Sequence, residues 1–184
     1  MSLKFYANSN ILIIGSSGSG KTTTVFKIIQ QRLIEPMPAK IFYLYGAYQP
    51  IFEEWNKDKS NIPITFVEGL QLDVIEEYDG PKLLVCDDLI MCISKKLANH
   101  FIAGSHHKQT TTIFITHSLF LNNDLYRLMS HNSQYILLFK NKRNYSQVTL
   151  LARQVLGKNN HRLLEAYGYI KAFDFVFLSF HPLV

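Results

Sequence analysis

The chain has 184 residues, 47% of them hydrophobic and 18% charged, which suits a globule with a sizeable core and excludes a disordered segment. Its formal net charge of +5 is compatible with a polyanionic partner without requiring one. No apolar run approaches the ~20 residues of a membrane span, and the first residues lack the apolar stretch of a secretory signal.

A single domain over 1–184 is therefore expected, with no membrane partner and an intracellular location. Cys86 and Cys92 lie in or beside apolar stretches and read as reduced core residues, not as a disulfide framework.

Taken in order, residues 11–14 are a short, mostly β-branched apolar run, as a strand buried on both faces should be. Gly15-Ser16-Ser17-Gly18-Ser19-Gly20-Lys21-Thr22 follows at once and has the spacing G-x-x-x-x-G-K-[ST]. The glycines let the backbone curl so that successive N–H groups point at phosphate oxygens. From Thr22 and Thr23 onward the composition is helical, so the positive end of a helix faces the same anion. Lys21 is assigned to the β- and γ-phosphates and the Thr22 hydroxyl to one Mg²⁺ position. This is a nucleoside-triphosphate site.

Pro36-Met37-Pro38 ends that helix, and 40–45 reads as a second strand. A turn at 46–50 leads into a short amphipathic helix through Phe52 and Trp55. A third strand is expected at 64–67, and one or two helical turns over 73–78, before the Gly80-Pro81 stop.

Lys82-Leu83-Leu84-Val85-Cys86-Asp87-Asp88 is the second chemical motif: an apolar strand ending in two carboxylates. Asp87 is assigned to Mg²⁺, through its water shell, and Asp88 to orienting and deprotonating the attacking water. The pair stands some 65 residues beyond the phosphate loop, enough for a βαβ crossover between them.

Ser94 is placed as the cap of a helix ending near Gly104, and 111–116 as the next buried strand, ending at Thr116 and His117. Thr116 is assigned a sensor role at the γ-phosphate or the water; the alternative is a hydroxyl that caps the next turn. A helix at 123–131 and a strand at 134–139 lead to a basic turn at Lys140, Lys142 and Arg143, at a strand's carboxyl end. Helices at 146–156 and 161–170 and a closing strand at 173–180 complete the chain. His106 and His107 lack metal-ligand spacing with either cysteine and read as turn or surface.

These alternating elements give an α/β three-layer P-loop sandwich around a mainly parallel sheet. The strand at 40–45 does not carry the Asp-Asp tip. That suits the ATPases with an additional strand between the loop strand and the carboxylate strand. The N-K-x-D guanine reader and the LSGGQ signature are both missing, which argues against a GTPase and a transporter-type ATPase. A small-molecule kinase stays open.

Several stretches then follow the loop in order: 43–54, 65–70, 83–88, Gly104-Ser105-His106-His107-Lys108, 113–116, 133–143, Ser146-Gln147 and Leu151-Ala152-Arg153-Gln154. The series, over about residues 10–155, resembles the genome-packaging ATPases of the FtsK–HerA superfamily. Within it, the branch of Polinton-type elements and adenovirus-like and virophage-like DNA viruses matches best.

The resemblance implies a homo-oligomeric ring of five or six subunits. It would use ATP and Mg²⁺ to pull double-stranded DNA into a capsid, at a portal or vertex protein. The assembling virion in the host nucleus or cytoplasm would be its place of work. It also implies an arginine supplied in trans by the neighbouring subunit. Relatives often carry that residue where this chain has Ala103, so Arg143 is the first choice and Arg127 and Arg153 are the alternatives. His117 stands where the family often has Gln. Lys95, Lys96, Lys140, Lys142 and Arg143 are the candidate DNA contacts.

Overall fold

The computed structural model describes residues 3–58, 61–141, 143 and 145–183, the side chains of 104–107 excepted. In chain order the strands are β1 (Phe5–Tyr6), β2 (Asn10–Ile14), β3 (Ile34–Glu35), β4 (Lys40–Tyr45), β5 (Ile64–Glu68), β6 (Lys82–Asp87), β7 (Thr110–Thr116), β8 (Tyr135–Phe139) and β9 (Phe175–Ser179). The helices are α1 (Lys21–Gln30), α2 (Pro50–Lys57), α3 (Asp73–Glu76), α4 (Lys95–His107), α5 (Asp124–His131), α6 (Tyr145–Leu156) and α7 (His161–Tyr169).

Seven strands form one sheet in the order β5-β4-β6-β7-β2-β8-β9, every pair parallel except β8–β9. The carboxylate strand β6 and the loop strand β2 are thus separated by β7, the additional strand that the sequence spacing implied. β1 and β3 form a separate two-stranded parallel pair that the sequence reading did not anticipate.

The central strands are apolar because helices cover both faces. Alternate residues feed two cores. Ile11, Ile13, Tyr43, Val85 and Ile115 pack with Val25, Phe26 and Ile29 of α1 and with Phe52 and Trp55 of α2. Leu12, Ile14, Leu44, Cys86 and Phe114 pack against Leu97 and Phe101 of α4, Met129 of α5, Val148 of α6 and Leu163 of α7. Residues 11–14 are all at most 1% exposed, and each such side chain contributes on the order of 1.5–3 kcal/mol.

One boundary differs from expectation. α4 runs through Gly104 to His107, because a helix interior tolerates a lone glycine; the backbone reaches the left-handed region only at Gln109 (φ 48). The side chains of His106 and His107 lie outside the described residues. The α1 face and the carboxyl ends of β2, β6 and β7 meet at one edge of the sheet, and the candidate site lies there.

Candidate active site

The phosphate loop is the turn between β2 and α1. Gly20, the residue preceding α1, has φ 94 and offers no side-chain cap, and the first turn of α1 contains no acidic residue. The orphan N–H groups at the helix start therefore stand open to an anion. A Cβ on Gly15 would lie 2.6 Å from Cβ of Phe139 and 2.7 Å from Oγ of Ser19, so the loop can fold this tightly only with glycine there. The Ser19 hydroxyl is buried and has no hydrogen-bond partner among the described residues. An orphaned donor in a loop of N–H groups fits a phosphate ligand.

Lys21 lies within this loop at 7% exposure, and its Nζ donates to the carbonyls of Gly15 (2.9 Å) and Ser16 (2.8 Å). Burial pushes its pKa below the ordinary lysine value, against the opposing pull of Asp87 and Asp88.

Asp87 ends β6 in register with Tyr45 and Ile115, with the parity of Val85, so its side chain turns toward α1. Three donors converge on its Oδ2: Thr22 Oγ1 at 3.0 Å, Tyr43 Oη at 2.7 Å and Gln49 Nε2 at 3.2 Å. Tyr43 is fully buried, and burial and the adjacent carboxylate both push its pKa up, so the phenol stays a donor. Neither Tyr43 nor Gln49 was singled out as a site residue from sequence. The available signal for Tyr43 was weak, because β4 carries two hydroxyl-bearing aromatics, Tyr43 and Tyr45, and only the first is buried against Asp87.

Thr22 and Asp87 fit a magnesium ion. The Thr22 hydroxyl donates its hydrogen to Asp87 at 3.0 Å, which leaves its hard oxygen free to face the ion, and the Asp87 carboxylate would act on water of the ion's shell. Among the described residues no group of three or more His, Cys, Asp or Glu could hold a metal by itself. Phosphate oxygens and water would complete the coordination, as is usual for this ion.

Asp88 has left the strand. Its backbone is left-handed (φ 57), and its side chain is 48% exposed with Oδ1 3.4 Å from His117 Nε2. His117 Nδ1 in turn lies 3.3 Å from both Lys21 Nζ and the Gly15 carbonyl. The ring therefore presents Nε2 to the Asp88 carboxylate and Nδ1 to the Lys21 ammonium and the Gly15 carbonyl. His117 thus links the lysine to the second carboxylate.

Thr116, assigned to the γ-phosphate, is placed elsewhere. It has the parity of Phe114 and faces the α5 side of the sheet. Its Oγ1 sits 3.3–3.4 Å from the backbone N–H and carbonyl of Ser118, as the turn-capping alternative requires. The residue that reaches the loop from β7 is His117.

Ser17, Gly18, Ser19, Gly20, Lys21, Thr22, Thr23, Gln49, Asp87, Asp88 and His117 all border one cleft of about 650 Å³, joined by Thr24, Lys27, Ala47 and Phe173. Gly15 and Ser16 lie behind it and hold Lys21. Arg143 is exposed, makes no ion pair among the described residues and does not line this cleft; its N–H donates to Asn141 Oδ1 at 3.0 Å. Arg127 pairs with Asp124 at 3.5 Å, and Arg153 lies exposed on α6.

Of the candidate DNA contacts, Lys95 is exposed, while Lys96 is bound to Asp73 and Glu76. Lys140 donates to the Tyr167 and Gly168 carbonyls, and Lys142 lies outside the described residues.

No protein-family model matches the sequence, and no curated protein matches it. Solved structures do match the fold. The DNA-packaging ATPase B204 of Sulfolobus turreted icosahedral virus superposes with a TM-score of 0.64 at 13% identity, covering 94% of this chain and 93% of that one. The genome-packaging NTPase B204 of Sulfolobus turreted icosahedral virus 2 in complex with ATP-γS gives 0.61 at 10% identity, over 94% and 92%. The same protein in complex with AMPPCP gives 0.59 at 9% identity, over 98% and 94%. The chain therefore has the P-loop NTPase fold seen in the B204 structures: a mostly parallel seven-stranded sheet flanked by helices.

Proposed function

We propose that this chain is a Mg²⁺-dependent ATPase subunit of a ring motor that translocates double-stranded DNA during viral genome packaging. One observation carries the catalytic part: Lys21, the Thr22–Asp87 pair and Asp88 converge on one cleft at the carboxyl edge of the sheet. The motor part rests on the sequence resemblance and on the fold likeness to B204, which runs over nearly the whole of both chains.

In this reading the loop N–H groups and Lys21 hold the triphosphate and stabilise the charge that grows on its oxygens during transfer. Thr22, and Asp87 through the water shell, would hold Mg²⁺, which would supply positive charge to neutralise that of the phosphates. Asp88 accepts the proton of the attacking water, with the His117 ring beside that carboxylate at 3.4 Å. Tyr43 and Gln49 hold the Asp87 carboxylate in place by donating to it.

The cations that line the described cleft are Lys21 and Lys27, and its rim at Asp88 and His117 is half-exposed. A neighbour's arginine would complete the site there, Arg143 being the first candidate. A ring of five or six copies, a portal or vertex partner and work at the assembling virion belong to the same proposal.

The test is steady-state ATP hydrolysis with and without double-stranded DNA, over a range of protein concentrations, for wild type and Lys21→Ala. The expected result is turnover that rises with DNA and with concentration and is lost in the variant. A DNA-indifferent rate, first order in protein, would overturn the motor reading. Phosphoryl transfer to an acceptor other than water would replace it with a kinase.

A further inference from the structure

Phe173 is out of place by ordinary packing rules. It is 70% exposed, and its backbone is left-handed (φ 69), a conformation that a bulky aromatic residue rarely adopts. The turn between α7 and β9 holds it there. Lys171 N donates to Asp174 Oδ2 at 3.1 Å, Asp174 N to the Lys171 carbonyl at 3.2 Å, and Lys140 N to the Asp174 carbonyl at 3.3 Å. Residues kept in such conformations by their surroundings cluster at ligand sites.

The ring is presented to the cleft already described. Phe173 lines it together with Gly20, which precedes α1, and with Thr24 and Lys27 on the face of α1 that continues from it. The Phe173 Cδ1 lies 3.5 Å from where a Cβ on Gly20 would stand, so the aromatic surface begins where the phosphate loop passes into the helix. Gly20 to Lys27 spans about 10 Å of helix, close to the reach of a nucleoside beyond its α-phosphate.

We propose that Phe173 is the stacking platform for the nucleobase of the bound nucleoside triphosphate. This rests on the nucleotide-site reading above and assigns the base to the side of the loop facing α7 and β9. Stacking on an aromatic face is tolerant of base identity, so the platform adds affinity for nucleotides over bare polyphosphate without by itself selecting adenine. An exposed ring that merely filled a gap would gain nothing from its left-handed backbone; glycine would serve better there.

Two ligands separate base from phosphate: a non-hydrolysable ATP analogue and inorganic tripolyphosphate, each titrated with Mg²⁺ by calorimetry. Phe173→Ala is expected to weaken the ATP analogue about tenfold or more while tripolyphosphate stays within about twofold. Phe173→Trp is expected to keep analogue affinity and to show fluorescence quenching with the analogue and none with tripolyphosphate. Phe173→Gly is expected to melt no lower than wild type, because it relieves the backbone, and yet to bind the analogue as weakly as Phe173→Ala.

Equal losses for both ligands, or unchanged analogue affinity in Phe173→Ala, would overturn the platform. So would equal affinity of the wild type for both ligands, which would leave the phosphate site standing. Binding of neither ligand by the wild type would bring down the nucleotide reading itself and the platform with it.

Discussion

Gly46→Ala isolates the placement of Asp88. Gly46 follows β4 directly, and its N–H donates to the Asp87 carbonyl at 2.9 Å. A Cβ added there would stand 2.3 Å from the Asp88 carbonyl oxygen and 3.2 Å from its carbonyl carbon. Ordinary contact needs about 3.3 Å, so the Asp88 peptide must retreat by roughly 1 Å, and main chain cannot swing aside as a side chain can. A misplacement of about 1 Å in a catalytic group costs on the order of 10²-fold in turnover, and the overpacking itself about 1–3 kcal/mol of stability.

Gly69→Ala is the matched control. Gly69 has φ 75 and nothing within 4 Å of its hypothetical Cβ, so alanine there strains the backbone by about 1–2 kcal/mol without touching the cleft. Phosphate release at saturating ATP, set beside thermal unfolding, should show similar stability losses in the two variants. Turnover should fall about a hundredfold in Gly46→Ala alone. Nucleotide affinity should change little in either, since the loop residues that would hold the phosphates lie between β2 and the start of α1 and neither added Cβ reaches them. A Gly46→Ala protein that turns over like Gly69→Ala would refute the role given to Asp88.

Tyr43→Phe removes a buried 2.7 Å donor to the Asp87 carboxylate and should lower unfolding free energy by about 1.5–3 kcal/mol in a urea titration. A loss below about 0.5 kcal/mol would show that the carboxylate does not depend on the phenol. His100 is 5% exposed with neither ring nitrogen bonded among the described residues; burial, then Lys108, Lys82 and Lys96, push its pKa down to about 4 against a weaker opposing pull from Glu76. The unfolded chain takes up a proton below the ordinary value of 6.5 while the folded chain does not. Stability contributed by the neutral ring should therefore be full above about pH 7 and fall as pH drops toward 4, by about 2 kcal/mol at pH 5. His100→Leu should flatten this part of the pH profile, and an unchanged slope would assign the acid sensitivity elsewhere.

The strands were legible wherever both faces are buried, because an uninterrupted apolar run needs no register to be recognised. The run at 40–45 is one case, with the bounds that β4 has. The same property hid which side chain at a strand tip faces the cleft. A strand buried at every position gives no alternation to read, so the sequence allowed Thr116 to reach the site where the fold sends His117. β1 and β3 are two residues each, too short to have a period. Lys21, Thr22 and Asp87 were legible because a phosphate loop and its carboxylate strand carry local motifs. Tyr43 and Gln49 were not, because their meeting with Asp87 depends on β4 lying beside β6, a long-range pairing that nothing local encodes.

The two carboxylates show how one strand end yields two chemical roles. Asp87 is still in the pleat, so its direction is fixed by parity and it is held by three donors at 4% exposure. The next residue escapes the pleat by turning left-handed, which puts its carboxylate beside His117 at the open rim. That turn is possible because Gly46 leaves space for the Asp88 carbonyl. It also favours aspartate over a longer acid, since a short polar side chain tolerates the left-handed region and glutamate does so less readily. The acid, its backbone conformation and the glycine that follows the neighbouring strand are therefore one arrangement, and changing any of the three changes where the Asp88 carboxylate stands.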